Sequence, residues 1–225
     1  MIPRILIASD TTGAQTNSLA ARLGQRGAIV ATVPLSAIGF DTESPSGLSI
    51  PAFGGALPDA VLVRSVAAGS FEAITRRLGV LHALNRRSVP VWNSAQAIER
   101  CVDKSMTTFL LRNAGVPTPS TFAVEGIGMA EAVATRELEQ TPLVLKPLFG
   151  AQGRGIRLIR TIADLPPEEE INGVYYLQHY VPRAGPPFRD FRVFVCAGKA
   201  VAMMSRRGED WITNVYQGGV PEQIE

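Results

Sequence analysis

The apolar and polar positions of the first half of the chain follow two alternating patterns. Short runs of β-favouring residues at 4–8, 28–35 and 59–65 predict strands, because turn residues bound each of them. Over 71–84, apolar residues recur every three or four positions, which predicts an amphipathic helix. A further strand is predicted at 89–93. Strands that alternate with helices predict a parallel sheet covered on both faces.

The second half of the chain carries a different pattern. A helix pair is predicted first, with Ser94 and Asp103 as N-caps and Gly115 as the stop signal of the second helix. The proline-rich stretch "VPTPSTFAV" at 116–124 then leads into a strand and is typical of a domain boundary.

More strands are predicted beyond this link than helices. A helix near 128–139 precedes strands at 143–147 and 156–160, and the strand "VYYLQHYV" follows. Two further strands, "FRVFVCAG" and "KAVAMMSRR", are predicted to form a hairpin with a tight turn at Gly198-Lys199.

Composition excludes several classes of protein. With 46% apolar and 19% charged residues in 225, the chain is predicted to be globular. No stretch approaches the roughly 20 apolar residues of a membrane span, and a net charge of +2 gives no basic field for nucleic acid. Cys101 and Cys196 lie far apart and form no CxxC pair, which favours a reducing cytoplasm and argues against a zinc site. We therefore predict a cytoplasmic protein without a metal-ligand cluster in this sequence.

The glycine-rich stretch "KPLFGAQGRGIRLI" is the first chemical signal. It does not match GxGxxG and joins a strand to a strand, not a strand to a helix, which disfavours a dinucleotide fold. A Walker loop is also absent, because "VDKS" at 102–105 has a Lys-Ser pair without the required glycine. A hairpin with backbone N–H groups free to face phosphate oxygens remains, and Lys146 at the preceding strand end could reach the same phosphates. An ordinary turn is the alternative interpretation.

Lysine is scarce, since the chain has nineteen arginines but only Lys104, Lys146 and Lys199. Lys104 begins a predicted helix, where the helix dipole makes a cation mildly unfavourable. It is therefore either a surface residue beside Asp103 or a phosphate contact.

Polar residues at three strand ends are weaker signals. The exit of the strand at Gln178 could offer backbone groups to a purine edge, or it is an ordinary strand end. Asp190 and Arg192 share one strand face and form either a salt bridge or a ribose or carboxylate contact. Arg64 ends the third strand and is predicted either to bind an acceptor carboxylate or phosphate or to form a salt bridge.

Taken in order along the chain, these segments resemble the ATP-grasp superfamily, and within it the RimK-like α-L-glutamate ligases. The resemblance runs from about Val89 to Gly219 and rests on "VPVWNSAQAIERCVDKSMTTFLLRNAGVPTP", "PLVLKPLFGAQGRGI", "YYLQHYV", "RDFRVFV" and "TNVYQGG". Residues 58–111 are most similar to the branch that glutamylates tetrahydromethanopterin.

The resemblance implies an α/β fold with a small parallel-sheet N-terminal domain at 1–93 and a two-lobed ATP-grasp domain at 94–225. The central lobe would cover about 118–180, and 181–225 would begin a C-terminal lobe whose remainder is missing.

The resemblance also implies roles for individual residues. The ATP-binding residues would be Lys104 and Lys146 at the phosphates, Gly150, Gln152, Gly153 and Gly155 in the closing loop, Gln178, His179, Tyr180 and Val181 at the adenine, and Asp190 at the ribose. Those near the γ-phosphate, metal or acyl-phosphate would be the catalytic Arg192 and Arg207, together with Asn214.

The implied reaction joins a carboxylate to an amine at the expense of ATP, through an acyl-phosphate. Its partners would be ATP, Mg²⁺, L-glutamate and a small carboxylate acceptor of the tetrahydromethanopterin type, with a ribosomal or carrier protein as the alternative acceptor. A ligase for another amino acid, such as D-alanine, is a weaker alternative that the N-terminal resemblance disfavours. A homo-oligomer is compatible with these features.

Two departures from the family pattern qualify this expectation. His179 stands where these ligases often have glutamate. The family's usual magnesium ligands would lie downstream of Glu225, so we expect the chain to be a fragment of a longer protein. A nucleotide-binding relative without catalysis is the alternative.

Overall fold

The computed structural model describes residues 1–150 and 152–224. The chain divides into two compact units, Met1–Glu99 and Arg100–Glu225, where the sequence suggested a division between residues 93 and 94. None of the described helices is long and apolar enough to cross a membrane. Mixed α/β architecture with one parallel sheet agrees with the fold class that the sequence predicts.

The first unit is built on a parallel sheet. Its elements in chain order are β1 (Arg4–Ala8), α1 (Ala14–Gln25), β2 (Ile29–Val33), β3 (Gly39–Phe40), β4 (Leu48–Ser49), β5 (Ala60–Val63), α2 (Phe71–Arg86), β6 (Val91–Trp92) and α3 (Ala95–Val102), which extends past Glu99. The strand order β2-β1-β5-β6 places β1 in the interior, and Leu6 and Ile7 on its opposite faces are fully buried. Such two-sided burial is what a parallel sheet requires.

The segment 36–58, between β2 and β5, is ordered by a short hairpin and by buried apolar side chains. The strands β3 and β4 pair as a short antiparallel hairpin. Ile38, Leu48 and Ile50 are buried in the core of the first unit, so apolar anchors hold this segment despite its high content of Ser, Pro and Gly.

The second unit contains two antiparallel sheets. Its elements are α4 (Lys104–Asn113), β7 (Thr121–Glu125), α5 (Ile127–Glu137), β8 (Leu143–Lys146), β9 (Arg157–Ile159), β10 (Val174–His179), β11 (Phe188–Cys196), β12 (Lys199–Gly208) and β13 (Val220–Gln223). One sheet has the order β7-β10-β8-β9, and the other has the order β11-β12-β13.

The sheet β7-β10-β8-β9 has one apolar and one mixed face. Leu143, Leu145, Tyr175 and Leu177 are fully or almost fully buried and belong to the same core cluster as Ala130 of α5. Because successive strand side chains point to opposite faces, the residues between these positions lie on the other face. That second face carries Val144, Lys146, Tyr176 and Gln178.

The hairpin of β11 and β12 differs from the prediction at its turn. Ala197 and Gly198 have φ values of 50° and 77°, as a two-residue hairpin turn of the primed type requires. The turn therefore lies one residue earlier than predicted, and Lys199 begins β12. The short strand β13 has no counterpart among the predicted elements.

Candidate nucleotide-binding site

A cavity of about 330 Å³ lies within the second unit and contains most of the predicted binding residues. Its lining comprises Pro119, Val144, Lys146, Gly153, Ile156, Gln178, His179, Tyr180, Val181, Arg183, Asp190, Arg206, Trp211, Ile212, Thr213 and Asn214. Another cavity of about 440 Å³, between α4 and β7, is lined by none of the predicted residues. We therefore take the smaller cavity as the candidate site.

Lys146 is the last residue of β8 and projects from the mixed face of the sheet. Its Nζ donates a hydrogen bond of 2.6 Å to Oε1 of Gln178 on the neighbouring strand β10. Burial lowers the pKa of Lys146, and the charge of Lys104 lowers it further. The ammonium group is thus a partly desolvated cation, whose charge an anionic ligand would stabilise.

Lys104 is the first residue of α4, a helix that the Asp103 side chain caps by accepting from backbone N–H groups. Its Nζ donates to the carbonyl oxygens of Leu148 and Gly150, each at 3.0 Å. Burial lowers the pKa of Lys104, and this outweighs the opposing effect of the Asp103 charge. Lys104 therefore stabilises the backbone at 148–150, where the glycine-rich segment begins. It is not among the described residues that line the cavity.

The glycine hairpin, defined as residues 150–155, includes Ala151, which lies outside the described residues. Gly153 lines the cavity with φ +74°, and a Cβ there would lie only 3.0 Å from Cγ2 of Ile212. Gln152 also has a positive φ, of 65°. A Cβ at Gly155 would lie 2.9 Å from Pro147. Glycine is needed at both positions because each combines a left-handed backbone with close packing.

The strand exit at 178–181 lines the cavity, but two of its backbone donors are engaged. The N–H of His179 donates to the Ser120 carbonyl and that of Tyr180 to the Pro142 carbonyl, each at 2.9 Å. An adenine would therefore have to use other backbone groups of this exit, such as those of Val181. The ring of Tyr180 packs edge-on against Trp211, with centroids 5.8 Å apart.

The imidazole of His179 forms a hydrogen bond of 2.8 Å with Oε2 of Glu137 on α5. Glu137 is buried, and Arg136 contacts its other carboxylate oxygen. Hydrogen bonds from Arg136 and then His179 hold the pKa of Glu137 below its ordinary value. The histidine at 179, where these ligases often have glutamate, thus has its side-chain partner on α5.

Asp190 and Arg206 form a bidentate ion pair on the cavity wall. Nε of Arg206 donates to Oδ1 of Asp190 at 2.8 Å, and its NH2 group contacts Oδ2. Hydrogen bonding from Arg206 lowers the pKa of Asp190 more than burial raises it, and the pKa of Arg206 is raised in return. Arg206 is only 8% exposed, so the pair is largely desolvated.

Several predicted residues lie away from this cavity. Arg192 is exposed and lies two positions beyond Asp190 on the same strand face. Arg207 lies on the opposite face, where its Nε donates to Glu222 at 2.9 Å. Asn214 does line the cavity, and its Oδ1 accepts from the N–H of Tyr216. Arg64, in the first unit, donates to Gln15.

The role of Arg206 in the cavity wall could not be assigned from the sequence. With the turn at 197–198, unbroken pairing would set Asp190 opposite Ser205. A register shift between Phe194 and Val195 places Arg206 there instead. The extra residue is Val201 of β12, because Phe194 pairs with Ala202 and Val195 with Ala200. No glycine at that position signals a bulge in the sequence. Arg183, Trp211 and Thr213 lie in loops, where no periodic pattern of the sequence points to them.

The chemistry of the lining fits a nucleotide better than it fits a metal ion alone. Cationic groups at Lys146, Arg183 and Arg206 accompany apolar surface from residues such as Val181 and Trp211. Across 1–150 and 152–224, no three His, Cys, Asp or Glu side chains are grouped so as to hold a metal ion. Asp190, the carboxylate in the lining, is already paired with Arg206.

Comparison with known proteins adds family information to this geometry. A model of the RimK-like ATP-grasp domain matches residues 101–225. The chain is 36% identical over 143 residues to the tetrahydromethanopterin:α-L-glutamate ligase of Methanococcus maripaludis, covering 61% of this chain and 48% of the relative. For the ligase of the same description from Methanosarcina acetivorans, identity is 32% over 178 residues, with 72% and 53% covered. A glutamate–LysW ligase of Sulfolobus acidocaldarius is 30% identical over 162 residues, with 67% and 55% covered.

Solved structures show the same fold. The ATP-grasp RimK domain protein of Sphaerobacter thermophilus superimposes with a TM-score of 0.63 at 20% identity, covering 89% of this chain and 71% of that one. D-alanine–D-alanine ligase from Bacillus anthracis, solved with ATP, gives 0.65 at 17% identity, covering 100% and 71%. The chain spans about half the length of the curated relatives it matches. It belongs to the RimK-like ATP-grasp family.

Proposed function

We propose that this protein is an ATP-dependent ligase that joins L-glutamate to a carboxylate acceptor. The observation that carries the proposal is the convergence of three features on one cavity: Lys146, the strand exit at 178–181 and the glycine hairpin. Membership of the RimK-like ATP-grasp family supports ATP as the nucleotide and glutamate as the amine.

The lining suggests how ATP lies in the cavity. The base would pack at the strand exit between Val181 and Trp211, and the phosphates would lie near Lys146 beneath the glycine hairpin. Between these two ends, the ion pair of Asp190 and Arg206 would face the ribose or the phosphate chain. Arg183 and Arg206 are the arginines among the described lining residues, while roles for Arg192 and Arg207 in catalysis stay predictions.

The chemistry that suits this arrangement has two steps. An oxygen of the acceptor carboxylate attacks the γ-phosphorus and ADP leaves, which gives an acyl-phosphate. The amine of glutamate then attacks the acyl carbon, and phosphate leaves as the amide bond forms. Lys146 and Arg206 would stabilise the negative charge on the phosphates, and the closed hairpin would exclude water from the intermediate. ATP-grasp ligases generally use Mg²⁺, whereas the described residues contain no group of three His, Cys, Asp or Glu side chains that could hold it.

The acceptor is proposed from the relatives. Two of them are described as tetrahydromethanopterin ligases, so a pterin-type coenzyme with a terminal carboxylate is the first candidate. A carrier protein is the second candidate, because the glutamate–LysW ligase is 30% identical. Arg64 in the first unit stays the predicted contact for the acceptor carboxylate.

Phosphate release tests the proposed reaction. The assay uses the protein purified from its native organism. We expect it to release phosphate from ATP only when Mg²⁺, L-glutamate and tetrahydromethanopterin are all present. Mass spectrometry should then show the coenzyme heavier by one or more glutamate residues. Phosphate release only with a carrier protein in place of tetrahydromethanopterin would contradict the first acceptor but support the ligase. Nucleotide binding without phosphate release with either acceptor would contradict the ligase and favour a nucleotide-binding protein without catalysis.

Substitution of Lys146 tests the nucleotide site separately. We expect Lys146→Ala to weaken ATP binding by about 1.5–3 kcal/mol, the range typical of hydrogen bonds to charged groups. Lys199→Ala is the matched control, because Lys199 is exposed at the start of β12. Calorimetric titration with ATP measures both. Equal affinity in the two variants would show that Lys146 does not contact the nucleotide.

A further inference from the structure

The side-chain amide of Gln178 is held in one orientation by its neighbours. Its Nε2 donates to Oγ1 of Thr121 at 2.9 Å and to the hydroxyl of Tyr176 at 3.3 Å. Thr121 uses its own hydrogen toward the Pro119 carbonyl, at 2.9 Å, so its oxygen can only accept from Gln178. The opposite end of the amide faces Lys146, which can only donate. Both ends therefore require Oε1 to point at the lysine.

The network around this amide extends to α4. The Tyr176 hydroxyl and Oγ1 of Thr108 lie 2.7 Å apart, which links β10 to the helix that carries Lys104 at its first position. Both hydrogens of the Gln178 amide are engaged, by Thr121 and Tyr176. No hydrogen of this side-chain amide is then left to donate to a purine base.

We infer that Gln178 is a positioning residue that fixes Nζ of Lys146 for a phosphate group while leaving its positive charge uncompensated. The inference rests on the proposed nucleotide site and assigns Gln178 to the phosphate end of that site. A glutamate at this position would hold the lysine equally well but would neutralise it. An amide supplies the same acceptor oxygen without the charge.

The other groups near Lys146 do not neutralise its positive charge. Lys104 carries a like charge, and the Tyr176 ring, whose centroid lies 5.9 Å from Nζ of Lys146, is uncharged. Of the charged side chains that share the cavity, Asp190 is engaged by Arg206, and Arg183 carries a like charge. Among the described residues that line the cavity, no free carboxylate competes with a phosphate for Lys146.

Nucleotide binding distinguishes this role from contact with the base. We expect Gln178→Leu to weaken ATP binding about tenfold to a hundredfold, the loss that follows from one charge-assisted hydrogen bond, while adenosine binds within about twofold of the original protein. Gln178→Glu should also weaken ATP binding, because the carboxylate neutralises Lys146. Glutamate has nearly the shape of glutamine, so this variant serves as the test if the leucine variant does not fold. Gln140→Leu is the matched control, since Gln140 is exposed after α5. Equal losses for ATP and adenosine would overturn the inference in favour of a base contact.

A double-mutant cycle checks that Gln178 acts through Lys146. Once Lys146→Ala is present, adding Gln178→Leu should cause no further loss of ATP affinity. An additional loss as large as that of the single Gln178 variant would overturn the inference.

Titration of the lysine provides a readout that needs no nucleotide. Because the chain has three lysines, ¹³C-labelled lysine gives few NMR signals, which lysine substitutions can assign. We expect Gln178→Leu to lower the pKa of Lys146 further and Gln178→Glu to raise it. An unchanged titration in both variants would overturn the inference. If the original protein binds no ATP while the titration shifts as expected, the proposed function fails but the tether between Gln178 and Lys146 stands.

Discussion

At the level of single residues, Gln178 and His179 have different surroundings because neighbouring side chains leave a strand on opposite faces. Gln178 contacts Lys146 on the mixed face of the sheet. His179 reaches Glu137 of α5 on the apolar face. A change of side chain at 179 is therefore expected to affect the contact with α5 more than the cavity. Strict alternation along "YYLQHYV" would have predicted this division, whereas family resemblance grouped both residues at the adenine.

Asp190 offers a test at the same scale, because it is predicted to contact ribose and is found paired with Arg206. We expect Asp190→Asn to lower the free energy of unfolding of the second unit by about 1–3 kcal/mol, since it leaves the nearly buried Arg206 without a charged partner. Glu209→Gln is the control, because its contact with Arg207 is highly exposed and should contribute less than about 1 kcal/mol.

Urea unfolding and ATP titration of both variants separate the two roles of Asp190. Unchanged stability together with weakened ATP binding would show that the carboxylate serves the ligand and not the ion pair.

At the scale of elements, the glycine hairpin packs against the segment that follows β12. A Cβ at Gly153 would lie 3.0 Å from Cγ2 of Ile212 and 3.4 Å from Cβ of Asn214, closer than side chains usually pack. The guanidinium of Arg154 lies 4.4 Å from the ring centroid of Tyr216. A cation–π contact of this kind at an exposed site is worth about 0.5–1 kcal/mol. The described residues of the hairpin thus contact this segment through interactions that each contribute little free energy.

Limited digestion with trypsin measures how firmly the hairpin is held, because Arg154 is an exposed cleavage site within it. We expect Tyr216→Ala to increase the rate of cleavage after Arg154 by about two- to fivefold, the factor that corresponds to loss of the cation–π contact. Tyr216→Phe keeps the aromatic ring and should be cleaved at the original rate. Equal rates in all three proteins would show that the stacking does not restrain the hairpin.

How far the sequence predicts this fold depends on how local each signal is. The strand β1, the capping of α4 by Asp103 and the strand-to-strand nature of the glycine hairpin follow from near neighbours in the chain and are all found. The pairing of Asp190 with Arg206 depends on a bulge at Val201 of β12. Likewise, the contacts of Gln178 join strands whose register no local pattern fixes.

At the scale of the whole molecule, several carboxylates of the second unit form ion pairs with arginine. The pKa of Glu137 is lowered first by Arg136, that of Asp190 by Arg206, and that of Glu222 by Arg207. A carboxylate with a folded-state pKa below its unfolded value stabilises the protein above the unfolded pKa of about 4. This contribution is lost as the pH falls through the folded-state pKa.

Thermal unfolding between pH 6 and pH 3 should therefore show a fall in the melting temperature of the second unit that becomes steep below about pH 4. The chain has two tryptophans, Trp92 in the first unit and Trp211 in the second. Fluorescence of Trp92→Phe reports the second unit, and Trp211→Phe reports the first as the comparison. A melting temperature of the Trp211 signal that does not change over this range would contradict the expectation.

The cavity is also asymmetric in charge, with Lys146 and Arg183 uncompensated while Asp190 balances Arg206. Electrostatic attraction extends about 8 Å at physiological ionic strength, so under the proposed function this excess would accelerate the arrival of polyphosphates whatever base they carry. Added salt would slow that step, while dissociation would depend on contacts made after arrival. Discrimination between ATP and other nucleoside triphosphates would then depend on how long each base stays against Val181 and Trp211 at the apolar end.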